Sequence, residues 1–593
     1  MSAEFAPSSA ANDRGAAHGE YAADLPGAPD LFQKHRSVFE RAQTACRERH
    51  CWSPFPELPN KYPNAAAAQA AGLAAYQAHL GSRFVLDQPG AVNEVGEEVS
   101  PYTQEALGIR YPQADLDALF DAAEAAMPKW ADTPFETRIG VLMEVIDTLY
   151  REHLFEIAQA IMHTAGQSFN MAYAGSGVNA LDRAIEALVY AHLAMAAVTP
   201  TARWERQFGP SKIVLDKTYR LVPRGVAVCF SCASFPTWNA WPSMMASLAT
   251  GNPVIVKPHP STVLPMAITV RVFRQVLAAA GFDANLVTLA LDTTAEPIGK
   301  RLVKHPKTAI IDFTGSVRFG QWVEQNAYPA LCFTETAGCN TVVLESADDL
   351  DAVLRSLATT LCLFSAQMCT SPQNIYVPAL GVKTPQGTVP LDEVARRLAD
   401  AVAALTADPK KAAMILATIQ SRQTLEMLLY MEHTIESGRG KMPYLLLKSR
   451  SYSHPDFPKA RTSTPLMLQV GKAQRALYGE ERFGPISFVI ACDDAADALH
   501  QATTDVKEFG GLTAFLYSTD EDFIAQAEAV YARAGAQLTI NLTGAMPLNF
   551  AAAYSDYHVT GLNPAGNASL TNLAFVAGRF CVTQSRRPAP ITN

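Results

Sequence analysis

No apolar run in this 593-residue chain reaches the roughly 18–20 residues that a membrane span needs, because charges or prolines interrupt each one. The Ala-, Ser- and acid-rich stretch over residues 1–25 lacks an apolar h-region, so it is not a secretory signal and reads as a poorly ordered tail. These absences predict a cytoplasmic protein with no membrane partner. Clustered basic charge is missing too: Lys and Arg number 48 against 57 Asp and Glu, a formal net charge of −9. Neutralising a phosphate backbone needs the opposite balance, so no nucleic acid partner is expected. The ten cysteines are scattered and form no disulfide framework. The CxxC of Cys229 and Cys232 has no second pair or spaced histidines, and Cys229 follows the alternating Val226 and Val228, which predicts a buried strand thiol. HExxH and EF-hand patterns are absent, so no metal is expected, and no GxGxxG marks a dinucleotide site.

What is present is ordinary in bulk: 49% hydrophobic and 18% charged residues, over a length that implies two or three domains. Residues 31–90 read as helical, with a Pro-rich break over 52–63. Thr133-Pro134-Phe135-Glu136 reads as a capping box, and Ile139, Leu142, Met143, Ile146 and Leu149 follow at helical spacing as one buried face. Short apolar strands then alternate with helices: strands over 226–230, 254–256, 286–291 and 309–313, with a helix over 264–280 ended by Gly281. Such alternation predicts a parallel sheet with helices on both faces. Before it, residues 212–221 alternate polar and apolar, as an exposed ribbon would. A second alternating region starts near Thr341, with a helical stretch over 391–434 and strands over 467–470 and 486–490. A final strand over 573–576 is expected to pair with another subunit.

Two residues stand out between these halves. Cys369 lies in Gln367-Met368-Cys369-Thr370, and the lone acid Glu335 lies in Thr334-Glu335-Thr336. A thiol paired with a separate acid suggests oxidation through a thioester. A nucleophilic thiol must ionise, because free cysteine titrates at about 8.5. A carboxylate can then activate the hydrolytic water, a role worth about 10²–10⁴-fold. Phe313-Thr314-Gly315-Ser316 leaves a strand and opens a helix, where free N–H groups and the helix dipole suit a pyrophosphate.

In this order, Pro223-Arg224-Gly225-Val226, the run from Leu248 through Lys257 to Pro258, Phe313-Thr314-Gly315-Ser316, Glu335, Gln367-Met368-Cys369, Glu481-Arg482-Phe483-Gly484-Pro485 and Gly511-Leu512-Thr513-Ala514 resemble the NAD(P)-dependent aldehyde dehydrogenase superfamily over residues 95–550. The segment Arg49-His50-Cys51-Trp52-Ser53-Pro54-Phe55-Pro56-Glu57 is similar to the phenylacetate-degradation (PaaN-type) members, which would imply a CoA-linked semialdehyde from aromatic ring cleavage. The resemblance implies an α/β fold with a Rossmann-type cofactor domain (96–204 and 224–335), a catalytic domain (336–544), a β-ribbon oligomerisation element (205–223 and 545–593) and a helical N-terminal extension (1–95). It implies that Cys369 forms a thiohemiacetal and then a thioester, and that Glu335 activates water. Lys257, Gly315, Ser316, Thr336, Glu481 and Phe483 would hold NADP or NAD. A homodimer or homotetramer is expected, and Glu335 favours release of the acid over acylation of CoA; a dehydrogenase fold with weak catalysis is the further alternative.

Three positions depart from the family. Ser234 replaces the asparagine whose amide supports the oxyanion, a donor worth about 3–4 kcal/mol. Pro260 stands where an acid would accept the ribose hydroxyls, which makes NADP as acceptable as NAD. The Gly-Gly-Lys signature is absent, and Ala553-Tyr554-Ser555-Asp556-Tyr557-His558 occupies that region, so substrate entry or subunit contacts are expected to differ there.

Overall fold

The computed structural model describes residues 30–336, 338–436, 443–570 and 572–591. The expected N-terminal tail lies outside them. Helices Leu31–Glu48 and Ala65–His79 make up the extension. They pack on helices Phe135–Thr148 and Leu154–Ala165, where Phe39, Leu142 and Ile161 join one core. A short antiparallel pair follows, β1 (Ala91–Val95) with β2 (Tyr111–Ala114). The predicted apolar face of Phe135–Thr148 is buried, but its capping box does not form. Thr133 ends the preceding helix, where its hydroxyl donates to Lys129 O (2.8 Å), and the N-cap of the next helix is Pro134, whose side chain can accept no hydrogen bond.

β3 (Thr201–Phe208) and β4 (Ser211–Pro223) form an exposed antiparallel ribbon. Residues 201–204, expected in the cofactor half, therefore belong to the ribbon. The chain then enters a parallel five-stranded sheet of β5 (Val226–Ser231), β6 (Val254–Pro258), β7 (Val287–Leu289), β8 (Thr308–Gly315) and β9 (Leu331–Thr336), in the order β7-β6-β5-β8-β9. β5 is buried along its whole length, as a strand covered on both faces must be. The strand order reverses between β5 and β8, and ligands bind outside the carboxyl ends of strands at such a switch point.

The second sheet holds β10 (Asn340–Leu344) and β11 (Pro372–Pro378). A small hairpin of β12 (Val382–Thr384) and β13 (Gly387–Val389) hangs off it. β14 (Tyr444–Leu447), β15 (Leu466–Gly471), β16 (Ile486–Cys492), β17 (Thr513–Tyr517) and β18 (Gln537–Ile540) complete the order β14-β15-β16-β11-β10-β17-β18, with only β14 antiparallel. Finally β19 (Phe580–Pro588) pairs with β4 along its full length, within the same chain.

The stretch expected as a strand near 573–576 is instead a helix, Leu573–Ala577, capped by Asn572, whose side chain accepts from Phe575 N (3.0 Å). A four-residue apolar run carries no period that separates strand from helix, and the local cap decided it. Arg579 then ties this end to the first sheet, with both guanidinium arms on Asp312 (2.8 and 2.5 Å). No helix among the described residues is long and apolar enough to cross a membrane.

Candidate active site

The carboxyl ends of β5, β6, β8 and β9 face the amino ends of β11 and β16 across a cleft of about 1370 Å³. Every site residue expected from the sequence (Ser234, Lys257, Gly315, Ser316, Glu335, Thr336, Cys369, Glu481 and Phe483) lines it.

At one end, Ser316 caps helix Val317–Asn326, its hydroxyl accepting from Phe319 N (3.5 Å). A Cβ on Gly315 would sit 2.7 Å from the Phe313 ring, so the helix entrance has room for backbone and ligand but not for a side chain. Lys257, at the end of β6, pairs with buried Asp292 (2.7 Å), which also accepts from Ile298 N (3.0 Å). Sequence reasoning missed Asp292, because it reaches Lys257 from beyond β7 rather than from the position of Pro260. The Thr336 hydroxyl is committed to Pro564 O (2.9 Å). Asn239 lines the same space, its amide donating to Thr314 Oγ1 (3.0 Å) while its Oδ1 is buried without a partner among the described residues. Burial pushes Glu481 up to about 8. A glycine-lined helix N-terminus, an adjacent buried Lys–Asp pair and inward carboxyls fit a dinucleotide.

At the other end lies the thiol. Cys369 follows a tight bend in which Phe364, Ser365 and Ala366 all take left-handed φ values of 49°, 51° and 50°. Each such non-glycine residue costs roughly 1–2 kcal/mol. The bend is held by Ser365 Oγ donating to Leu416 O (2.9 Å) and Gln367 Nε2 to Thr418 O (2.8 Å). Asn340 Nδ2 donates to Cys369 O (2.7 Å) and Ser371 O (2.8 Å), which fixes the loop on β10. Burial first, then the negative charge of Glu335, holds the thiol well above its ordinary range, with Cys232 and Glu481 adding to it. Cys229 is the buried strand thiol expected, only 1% exposed.

Glu335 is aligned by β9 and by the C-terminal loop, whose Gly566 comes so close that a Cβ would lie 2.4 Å from Thr334 O. Its nearest polar partner was not anticipated. His558 Nε2 lies 2.8 Å from Glu335 Oε1 and 3.6 Å from Cys369 Sγ, and both Glu335 and His558 are buried. The imidazole packs against Trp238 (4.5 Å between ring centroids). Residues 545–593, expected as an oligomerisation element, thus bring a side chain into the centre of the site. The one sequence signal was the missing Gly-Gly-Lys, whose replacement ends in this histidine.

Two clamps hold that segment. Arg183 donates to Asp556 O (3.0 Å) and Ala551 O (3.4 Å) and lies over Trp238 (5.2 Å). From the extension, Arg49 donates to Tyr557 Oη (2.6 Å) and Trp52 packs on Tyr554 (5.5 Å). Glu57, a little further along the extension, lines the cleft itself. Ser234 stands on the wall, its carbonyl accepting from Gln167 Nε2 (2.7 Å).

The model of the aldehyde dehydrogenase family matches residues 90–546. The crystal structure of an NAD-dependent aldehyde dehydrogenase from Burkholderia multivorans superposes with a TM-score of 0.91 at 44% identity, covering 95% of this chain and all (100%) of that one. A vanillin dehydrogenase of Corynebacterium glutamicum is 25% identical over 470 residues, 77% of this chain and 88% of that protein. A benzaldehyde dehydrogenase of Bacillus subtilis is 30% identical over 302 residues, 49% of this chain and 58% of that protein. With more than half its length matched by the family model, the chain belongs to the aldehyde dehydrogenase family.

Proposed function

We propose that this chain oxidises an aromatic aldehyde to its carboxylic acid with NAD as the preferred acceptor. The observation that carries the reading is the thiol of Cys369 and the carboxylate of Glu335 meeting at one end of a cleft whose other end fits a dinucleotide. Cys369 Sγ adds to the aldehyde carbon, while the Ser234 hydroxyl and the Cys369 N–H support the oxyanion. A bound nicotinamide supplies the hydride acceptor. Glu335 takes a proton from the water that releases the acid. Phe483 covers the cofactor and Glu481 accepts from its ribose.

Two observations support the finer choices. Lys257 is already neutralised by Asp292, so a 2′-phosphate would meet a buried carboxylate rather than a free cation; the name of the Burkholderia relative points the same way. Trp238, Phe235 and Phe550 line the cleft and suit an aromatic ring, in keeping with the vanillin and benzaldehyde relatives.

A second reading, a CoA-linked semialdehyde of phenylacetate-type catabolism, is favoured by the PaaN-like segment around Trp52, which packs beside the cleft. The exposed ribbon of β3, β4 and β19 would carry the contact of a homodimer or homotetramer. A steady-state panel of aromatic, aliphatic and CoA-linked aldehydes, with product analysis with and without free CoA, separates these substrates. Cys369→Ala should reduce every accepted oxidation to background; persistent turnover would overturn the thiol route.

A further inference from the structure

We propose that His558 is a third catalytic residue, whose Nε2 takes the Cys369 thiol proton and holds the resulting imidazolium between the thiolate and the Glu335 carboxylate. The inference rests on the thiol route above and deepens it. One nitrogen faces two partners, Glu335 Oε1 at 2.8 Å and Cys369 Sγ at 3.6 Å. A neutral imidazole can satisfy only one of them at Nε2: it either donates to the carboxylate or accepts from the thiol. Once Nε2 is protonated and the sulfur is ionised, a single N–H lies between two anions, and both contacts become favourable.

The charges around the thiol give such a group a role. Glu335 opposes ionisation, Cys232 adds to it, Glu481 joins them once it ionises at higher pH, and no lysine or arginine is among the groups acting most strongly on Cys369. On the far side of His558 stands the Trp238 ring, with Arg183 behind it and that guanidinium paired to Glu186 (2.8 Å). His558 is therefore the adjacent group that can become a cation. Glu335 and His558 are both buried, and between buried charges the attraction is several-fold stronger than in solvent.

The step balances simply. With the imidazole protonated at Nδ1 only, the Sγ–H proton moves to Nε2, which leaves thiolate and imidazolium and no change in net charge. When the thioester is hydrolysed, the water oxygen bonds to the acyl carbon and its proton goes to Glu335. The carbon–sulfur bond then breaks, and its electron pair returns to a sulfur stabilised by the imidazolium N–H. Glu335 Oε2 is suited to that task, being buried without a partner among the described residues while Oε1 faces His558.

The test uses alkylation of the full-length protein by iodoacetamide, with the Cys369 peptide quantified by mass spectrometry against pH so that exposed Cys51 and Cys581 do not confuse it. Wild type should alkylate readily at pH 7, and His558→Phe should lose about tenfold or more at that pH, its profile rising only above the ordinary thiol range near 8.5. A histidine that merely positions Glu335 would leave the alkylation profile in place while slowing hydrolysis. Identical profiles for wild type and His558→Phe would overturn the proposal. Should that variant fail to melt cooperatively, the ultraviolet thiolate absorbance of wild type minus Cys369→Ser decides. A thiolate present at pH 7 supports the proposal, and one appearing only above the ordinary range overturns it. Alkylation needs no aldehyde, so a failure of the substrate assignment leaves this result readable on its own.

Discussion

The two ends of the cleft are built on different principles. At the cofactor end the pyrophosphate cradle is built within one sheet: Gly315 and Ser316 are neighbours at one strand-to-helix turn, and Lys257 lies near the end of β6, with β5 between β6 and β8. At the thiol end it is assembled from afar. Glu335 ends the first sheet, Cys369 precedes a strand of the second, His558 arrives from the C-terminal loop, and that loop is clamped by Arg49 and Trp52 of the extension. Local construction makes an end that tolerates distant change; long-range construction makes one that does not. Substitutions that damage one end and spare the other test that difference.

The largest effect is expected at Glu335, where Glu335→Gln removes both the water-activating group and the anion beside His558. Steady-state oxidation should fall about 10²–10⁴-fold, while the first turnover still produces a burst of reduced cofactor because acylation does not need that base. Rapid-mixing absorbance reads both phases, and loss of the burst along with the steady state would assign Glu335 to acylation as well. Dinucleotide affinity, measured by fluorescence titration, should stay unchanged, since Glu335 is not among the residues expected to hold the dinucleotide. Asp292→Asn is its mirror image: NAD affinity should fall about tenfold, NADP affinity should rise relative to it as Lys257 is freed, and Cys369 alkylation should not move. Equal losses for both dinucleotides would remove Asp292 from cofactor discrimination.

Legibility followed the same divide. β5, β6 and β8 were readable as buried apolar runs, and the turn at Gly315 and Ser316 as glycine before a capped helix, because those signals lie within a few residues of one another. Cys369 and Glu335 were found because each sits in a distinctive short motif. His558 and Asp292 were not, since their roles exist only through pairing: Asp292 with a lysine one strand away, His558 with an acid and a thiol some two hundred positions earlier in the chain. The departures from the family pattern at Pro260 and near residue 553 were visible, but not what replaced them. The helix at Leu573–Ala577 and the failed cap at Thr133 mark the other limit, where short apolar runs and cap residues can serve either neighbouring element.

Glu481 offers a smaller effect, read through NAD binding. Burial raises its pKa to about 8, so its carboxyl is protonated at pH 7 and ionises as the pH rises through that value. Ribose hydroxyls donate to the ionised form. NAD binding should therefore tighten several-fold between about pH 7 and pH 9, and Glu481→Gln should flatten that slope. A slope that survives in Glu481→Gln would place the titrating group elsewhere.

The extension provides the smallest expected change and the sharpest separation of the two ends. Trp52 packs on Tyr554 and neighbouring Ser53 donates to buried Asp182 (3.0 Å), so the segment that ends in His558 leans on residues more than 500 positions away in the chain. Trp52→Ala removes one face of that support but leaves the Arg183 clamp on Asp556 and Ala551. The imidazole should then spend part of its time displaced from the thiol, and displacements of about 1 Å can cost up to about 10²-fold in rate. With the Arg183 clamp and the Arg49–Tyr557 bond retained, a loss of about threefold in kcat is the expected scale, accompanied by slower Cys369 alkylation at pH 7 and no change in NAD affinity. If NAD affinity fell while alkylation held, the extension would act on the cofactor end, and the contrast between a local and a long-range site would fail at its most distant contact.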